Sequence, residues 1–396
     1  MRTLSIVIGT ALAAVFVVVG AAQGPGGMRG GTRVTPGQAC PAGTTEVRPG
    51  SCQAPEVPAP SILDYRPKST LVTPQHPVPR AKFPAIDVHG HPGNLTSADA
   101  INRVVAEMDK LNLGVMVVAE NVSGSRLTQT LQALSASPHK NRFSVMAGVD
   151  FRNVGPGWAE KAVAQLEADV KAGAVGVGEI PKSFGLNITK PDGSRLKVDD
   201  PALDPLWDAF GRLDIPVFMH TAEPQEFFQP LDYTNERWLE LALFPSRRNN
   251  QQGHVAFDQL MTERNNVFRK HPKTRFIAAH FGWHANDLGR AAKMLDEYPN
   301  VTVECGAVLY DLGRQPRVAH DFFEKYQDRI MFGKDAFEPS EYPYYWRVFE
   351  TNDDYFDYYR DYHAFWKLYG IGLSDPVLRK VYADNARRVI KGLPRG

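Results

Sequence analysis

"KFPAIDVHGHPG", residues 82–93, sets the fold question. A short apolar run ends on His89 and His91, with one glycine between them. In an extended segment, residues two apart point to the same side, so both imidazoles could reach one point. The pair could equally be two polar residues on a turn. What the chain places at the ends of its other apolar runs decides between these readings.

Seven further runs follow: 115–120, 143–150, 174–180, 216–220, 275–280, 301–306 and 329–335. They are continuous rather than alternating, which suits a parallel sheet buried on both faces. Helical patterns fill the gaps. After Ser97, apolar residues recur at Ile101, Val104, Val105, Met108 and Leu111, and Gly114 is expected to close that helix. Ala162, Val163, Leu166 and Val170 repeat the pattern before Gly173, as do Leu203, Leu206, Trp207, Phe210 and Leu213. Residues 374–390 read as a last amphipathic helix. Eight runs alternating with helices predict an α/β fold, a closed (β/α)₈ TIM barrel. The rival, an open doubly wound sheet, would usually carry a glycine-rich first turn, where "HGHPGN" stands here.

A barrel builds its active site from the C-terminal ends of its strands. The ends here carry His89, His91, Glu120, Asp150, Glu179, His220, His280, Glu304 and Asp335. A single core histidine needs only one hydrogen bond. Several imidazoles and carboxylates at one mouth are costly to bury unless paired or ligated. That predicts a divalent cation: Zn²⁺ first, with Mn²⁺ or Fe²⁺ also compatible with nitrogen and oxygen donors. Glu120 and Asp150 are expected to orient the ligand imidazoles.

Outside the barrel, Arg2 and the apolar run that follows, ending in small residues at 20–22, read as a signal peptide over 1–22. That implies a secreted or periplasmic protein without a stable membrane anchor. Residues 23–81 hold eleven prolines and read as an arm or linker. In an oxidising compartment Cys40 and Cys52 could close a disulfide loop, whereas Cys305 reads as a buried small hydrophobe. The barrel is placed at 82–396, with 338–369 as an insertion covering its rim. That insertion holds thirteen aromatic residues, which could stack on a ligand or pack as a lid. A formal charge of +1, from 45 basic and 44 acidic residues without a basic block, excludes a nucleic-acid binder. The partner expected is a small-molecule substrate, and a homo-oligomer is compatible with the fold. Between His220 and His280, residues Phe227, Phe228, Tyr233 and Trp238 could wall a pocket or anchor the loop. Arg237 could reach a substrate carboxylate, or simply start a helix.

"DVHGH" (87–91), "VFMHTAEP" (217–224), "FIAAHFG" (276–282) and "FGKDAF" (332–337) together resemble the amidohydrolase superfamily, in its amidohydrolase-related branch. The resemblance runs over about 82–393. It implies a divalent metal held by His89, His91, His220 and Asp335 in various combinations. By the same resemblance, His280 is a ligand in two-metal members and a proton-shuttling or substrate-polarising group in one-metal members. Glu179 stands where relatives place a lysine, and in some two-metal relatives a carbamylated lysine or a glutamate bridges the ions from that strand. Glu179 could be such a bridge, part of a polar network, or a partner of Lys182. Lys334, beside Asp335, is expected to face outside the barrel.

The expected enzyme is therefore a metal-dependent hydrolase of an amide, cyclic amide, ester or lactone, with Asp335 as general base and His280 assisting the oxyanion. The alternative within the same branch is a non-oxidative decarboxylase of an aromatic or enol acid.

Overall fold

The computed structural model describes residues 31–363 and 366–395. The signal-peptide expectation over 1–22 lies outside these residues. The chain divides into two compact units, one ending at Pro67 and one running from Lys68.

In the first unit, β1 (Thr32–Arg33), β2 (Thr45–Arg48) and β3 (Ser51–Gln53) form a small antiparallel sheet. Cys52 of β3 is disulfide-bonded to Cys40. So few strands bury little apolar surface, and the covalent link offsets that deficit.

In the second unit, β4 (Ala85–His91), β5 (Leu113–Val118) and β6 (Phe143–Val145) pair in parallel, and β11 (Asp335–Ala336) lies on the other side of β4. A second parallel sheet holds β7 (Pro216–Met219), β8 (Arg275–Ala278), β9 (Val301–Glu304) and β10 (Ile330–Met331). The run at 174–180 joins the two sheets. Val177 bridges to Ala147 on one side and to Val217 on the other. Just past β10, Phe332 O accepts from Val88 N at 3.1 Å, which links the remaining edges. The eight predicted runs therefore occupy eight successive positions of one parallel ring, although the run at 174–180 contributes only a bridge.

Strand residues divide by alternation, as two buried faces require. Met116, Val118, Val217, Met219, Phe276, Ala278, Val301 and Val303 belong to the large core that includes the helices. Val115, Val117, Phe218, Ile277 and Met331 belong to a smaller core with Ala386, Val389 and Ile390 of the last helix. In β4 the pairing register shifts between Asp87 and Gly90, just before the histidine pair ends.

The first barrel helix, Ala98–Leu111, starts where Ser97 caps Ala100 N. It ends at Asn112 in the left-handed conformation, not at Gly114, which is already in β5. Asparagine tolerates that conformation better than most residues, and here its Nδ2 donates to Ala81 O at 2.8 Å. Residues 68–81 belong to the same compact unit as the barrel. His76 N donates to Asp353 Oδ2 at 2.7 Å, and Arg347 pairs with the same carboxylate. Within residues 338–369, Tyr342, Tyr345 and Trp346 are fully buried. Among the described residues no helix is long and apolar enough to cross a membrane.

Candidate functional site

Glu179 is the centre of the arrangement. Its Oε1 lies 2.6 Å from His220 Nδ1, 3.1 Å from His280 Nε2 and 3.3 Å from His89 Nε2. Its Oε2 lies 3.3 Å from His91 Nε2. Asp335 Oδ1 is 3.9 Å from that same nitrogen. The structure thus brings together all six residues expected at the site: His89, His91, Glu179, His220, His280 and Asp335.

Each imidazole turns one nitrogen toward Glu179 and the other toward an outer acceptor. His280 Nδ1 meets Gly306 O at 2.9 Å, and His220 Nε2 meets Ala222 O at 2.9 Å. His89 Nδ1 faces Glu304 Oε1 at 3.2 Å, and His91 Nδ1 faces Glu120 Oε2 at 3.5 Å. Where the outer nitrogen donates to a carbonyl, a neutral ring must keep its lone pair on the inner nitrogen. This division is the one that metal-ligating histidines use. Both nitrogens of His89 and Nε2 of His91 are buried without a well-formed hydrogen bond. Such orphaned atoms, in a set of only nitrogen and carboxylate donors, fit a divalent cation of the zinc or manganese type. Within ligand distance the donors form overlapping groups: His89, His91, Glu179 and Asp335; and Glu179, His220 and His280. Glu179 is common to both. A third group, His89, His280 and Glu304, lies beneath the cluster's buried side.

The electrostatics agree. Burial disfavours charge on Glu179, but His89 and His220 outweigh it and hold the carboxyl well below its ordinary range. Burial likewise opposes charge on the imidazoles, yet Glu179 and Glu304 raise His89 well above its usual value, and His91 rises to about 9 through Glu120 and Glu179. Positive charge is strongly favoured at the places where a cation would sit.

Backbone strain marks the same residues. His280, Phe281, Gly282 and Trp283 are all left-handed, with φ of 54°, 58°, 61° and 54°. A left-handed turn costs roughly 1–2 kcal/mol per non-glycine residue. It takes His280 off the line of β8 and brings its N–H to Glu304 Oε1 at 2.5 Å. Asp335 is also left-handed, with φ of 78°. Strain of this kind concentrates at functional sites.

The sequence reading gave Glu304 no task. It is fully buried and accepts from His280 N and Gly306 N, each at 2.5 Å. A Cβ on Gly306 would stand 2.7 Å from Glu304 Oε2, so glycine there leaves room for the carboxylate. Other expectations need correction. Asp150 is exposed and pairs with Arg152, because β6 ends five residues earlier and leaves it in a loop. Lys182 faces Glu223 at 3.7 Å rather than Glu179. Lys334 does point away from the cluster, but it is buried under the insertion and pairs with Glu341.

A cavity of about 140 Å³ opens beside the cluster. Glu179, His220, His280 and Asp335 line it together with Phe227, Trp283 and Tyr310. Of the loop aromatics, Phe227 walls this cavity, Phe228 anchors against Phe257 at 5.6 Å, and Tyr233 is 97% exposed. Arg237 both precedes the helix Trp238–Leu243 and lines the cavity.

A parallel ring with a cluster of histidines and carboxylates at its strand ends has the architecture of a barrel whose mouth could hold a metal ion. The amidohydrolase family model matches residues 86–391, and the chain belongs to that family of enzymes. No curated protein sequence matches it. Solved structures are similar at low identity. An uncharacterised TIM-barrel protein from Bordetella bronchiseptica is 16% identical, with a TM-score of 0.48 over 77% of this chain and 97% of that one. A 4-oxalomesaconate hydratase from Rhodopseudomonas palustris is 15% identical, with a TM-score of 0.44 over 77% and 95%. An amidohydrolase from Burkholderia multivorans is 13% identical, with a TM-score of 0.42 over 77% and 98%.

Proposed function

We propose that the chain is a divalent-metal-dependent hydrolase that cleaves a C–N or C–O bond of a small amide, cyclic amide, ester or lactone. The observation that carries this reading is the set of four inward imidazole nitrogens around Glu179, each ring anchored from outside. His89, His91, Glu179 and Asp335 would hold one ion, and His220, His280 and Glu179 a second, with Glu179 shared. Zn²⁺ suits this donor set best, and Mn²⁺ or Fe²⁺ also fit. When bound, the metal supplies Lewis-acid polarisation of a carbonyl and acidifies water.

The chain's own groups do the rest. Burial raises the Asp335 carboxyl, but His89 and His280 outweigh it and keep it below its ordinary value. Asp335 is therefore ionised near neutrality, and its side chain is 35% exposed toward the cavity it lines. It accepts the proton of the attacking water at a carboxylate oxygen and returns it to the leaving group. In a one-ion arrangement His280, which also lines the cavity, orients the substrate carbonyl.

The cavity's arginines favour a second reading, non-oxidative decarboxylation of an aromatic or enol acid, in which Asp335 or His280 delivers a proton to carbon. One experiment separates the two. Metal content is measured before and after chelation, and a substrate panel is assayed in parallel for released amine, alcohol and carbon dioxide. A folded protein that binds no divalent metal would defeat both readings.

We also propose that residues 1–22 direct export, that 23–81 form an arm or linker whose last part, 68–81, packs with the barrel unit, and that 338–369 cover the rim of the barrel at 82–396. The Cys40–Cys52 disulfide supports an oxidising compartment. A mature protein from the secreted or periplasmic fraction that still begins at Met1 would refute removal of residues 1–22.

A further inference from the structure

Four basic side chains line the cavity that holds the cluster: Lys182, Arg237, Arg247 and Arg360. Their carboxylate partners are too few. Lys182 faces Glu223. Arg237 and Arg247 both pair with Glu240, so two guanidiniums share one negative charge. Arg360 comes from the insertion. Its nearest carboxylate oxygen is Glu341 Oε2, 3.9 Å away, and Lys334 already pairs with that oxygen. Asp311 and Glu236 are taken by Arg314. Glu179 and Asp335 also line the cavity, but they face the histidines of the cluster. Behind the wall, burial together with Asp311 pushes the pKa of Glu226 to about 7, so it carries only part of a charge near neutrality. The same wall holds two buried donors or acceptors without hydrogen-bond partners, Arg237 Nη1 and His363 Nδ1.

We propose that this wall is the receptor for a carboxylate on the substrate, with Arg360 and Arg247 as its contacts and Arg237 setting the local charge. Guanidinium forks match carboxylates in geometry and stay charged at any relevant pH. The cavity volume, about 140 Å³, is close to that of an engineered cavity that accepts one benzene ring. Phe227, Trp283 and Tyr310 line it. The substrate class is thus a small, flat, ring-sized acid. This inference rests on reading the Glu179 cluster as the reaction centre, and it adds what that centre acts on.

The test uses the full mature protein, metal-loaded and chelated, with benzoate as probe and benzamide as its neutral counterpart in calorimetric titrations. Benzoate is expected to bind both forms, and at least about tenfold more tightly than benzamide. Arg360→Gln and Arg247→Gln should each weaken benzoate by about 10- to 100-fold, as loss of a charge-assisted bond implies, with metal content unchanged. Arg360→Gln alone carries the test if Arg247→Gln does not fold. The proposal is overturned if benzoate fails to bind, binds no better than benzamide, loses its affinity on chelation, or is indifferent to Arg360→Gln in a folded protein. Arginine-dependent benzoate binding by a chain that takes up no metal would refute the proposed hydrolase and leave the carboxylate receptor standing. Normal metal loading with no preference for the anion would do the reverse.

Discussion

The hydroxyl of Tyr342 donates to Asp87 Oδ2 at 2.6 Å, deep inside the protein. The other oxygen of Asp87 accepts from His89 N at 3.0 Å and Lys334 N at 3.1 Å. One buried carboxylate therefore ties together the histidine-bearing strand, the segment leading to Asp335 and the aromatic insertion. Tyr342→Phe leaves Oδ2 buried without its donor. Stability should fall by about 1–3 kcal/mol, measured by urea unfolding of the metal-free protein. An unchanged midpoint would mean that water replaces the hydroxyl.

Asp335→Asn keeps the shape of the side chain but cannot accept a proton. Turnover should fall by about 10²–10⁴-fold with metal retained, as read by kinetics beside metal analysis. His89→Ala should instead lower metal content while the barrel remains folded, because it deletes a proposed ligand. Near-normal turnover in a metal-loaded Asp335→Asn protein would shift the base role to His280.

Gly282→Ala tests the left-handed turn. A Cβ there would lie 3.0 Å from Arg264 Nη1 and 3.2 Å from Met294 Cε, at a φ of 61°. Arg264 Nη1 also donates to Gly282 O at 2.7 Å. The substitution should cost about 1–2 kcal/mol and, by displacing His280, lower kcat more than it changes KM. An effect on thermal stability alone would show that the turn can shift without moving the imidazole.

Glu226 predicts a pH dependence. Burial, then Asp311, raises its pKa from 4.5 to about 7 in the folded protein. The folded state holds the proton that the unfolded state releases between these values, so stability declines as pH rises from about 4.5 to 7. Below that window the group costs nothing, and above it the cost is complete. Glu226→Gln should therefore stabilise the protein by about 1–3 kcal/mol at pH 8 and by little at pH 4.5. Equal melting shifts at both pH values would contradict this.

His89, His91 and His220 were legible in the sequence because they end or directly follow apolar runs that a parallel sheet requires. Glu304 ended such a run as well, but its task depends on Gly306 and on the turn at His280, which come together only in three dimensions. Asp150 was misread because its run outlasts its strand. "HFGW" gives no sign that four successive residues are left-handed, since only Gly282 is at ease there. Arg360 and His363 reach the cavity from the insertion, whose aromatic content announced packing but not which polar groups it would carry inward.

His280 and Asp335 share a property that bears on how such a chain could drift. Both occupy backbone that side chains rarely adopt, with φ of 54° and 78°. Glycine and asparagine are comfortable there, whereas branched residues such as valine or isoleucine are not. A descendant released from selection for this chemistry should therefore lose it along a narrow route. Its earliest tolerated replacements at these two positions would be asparagine and glycine, and its ring of strands would outlive its activity.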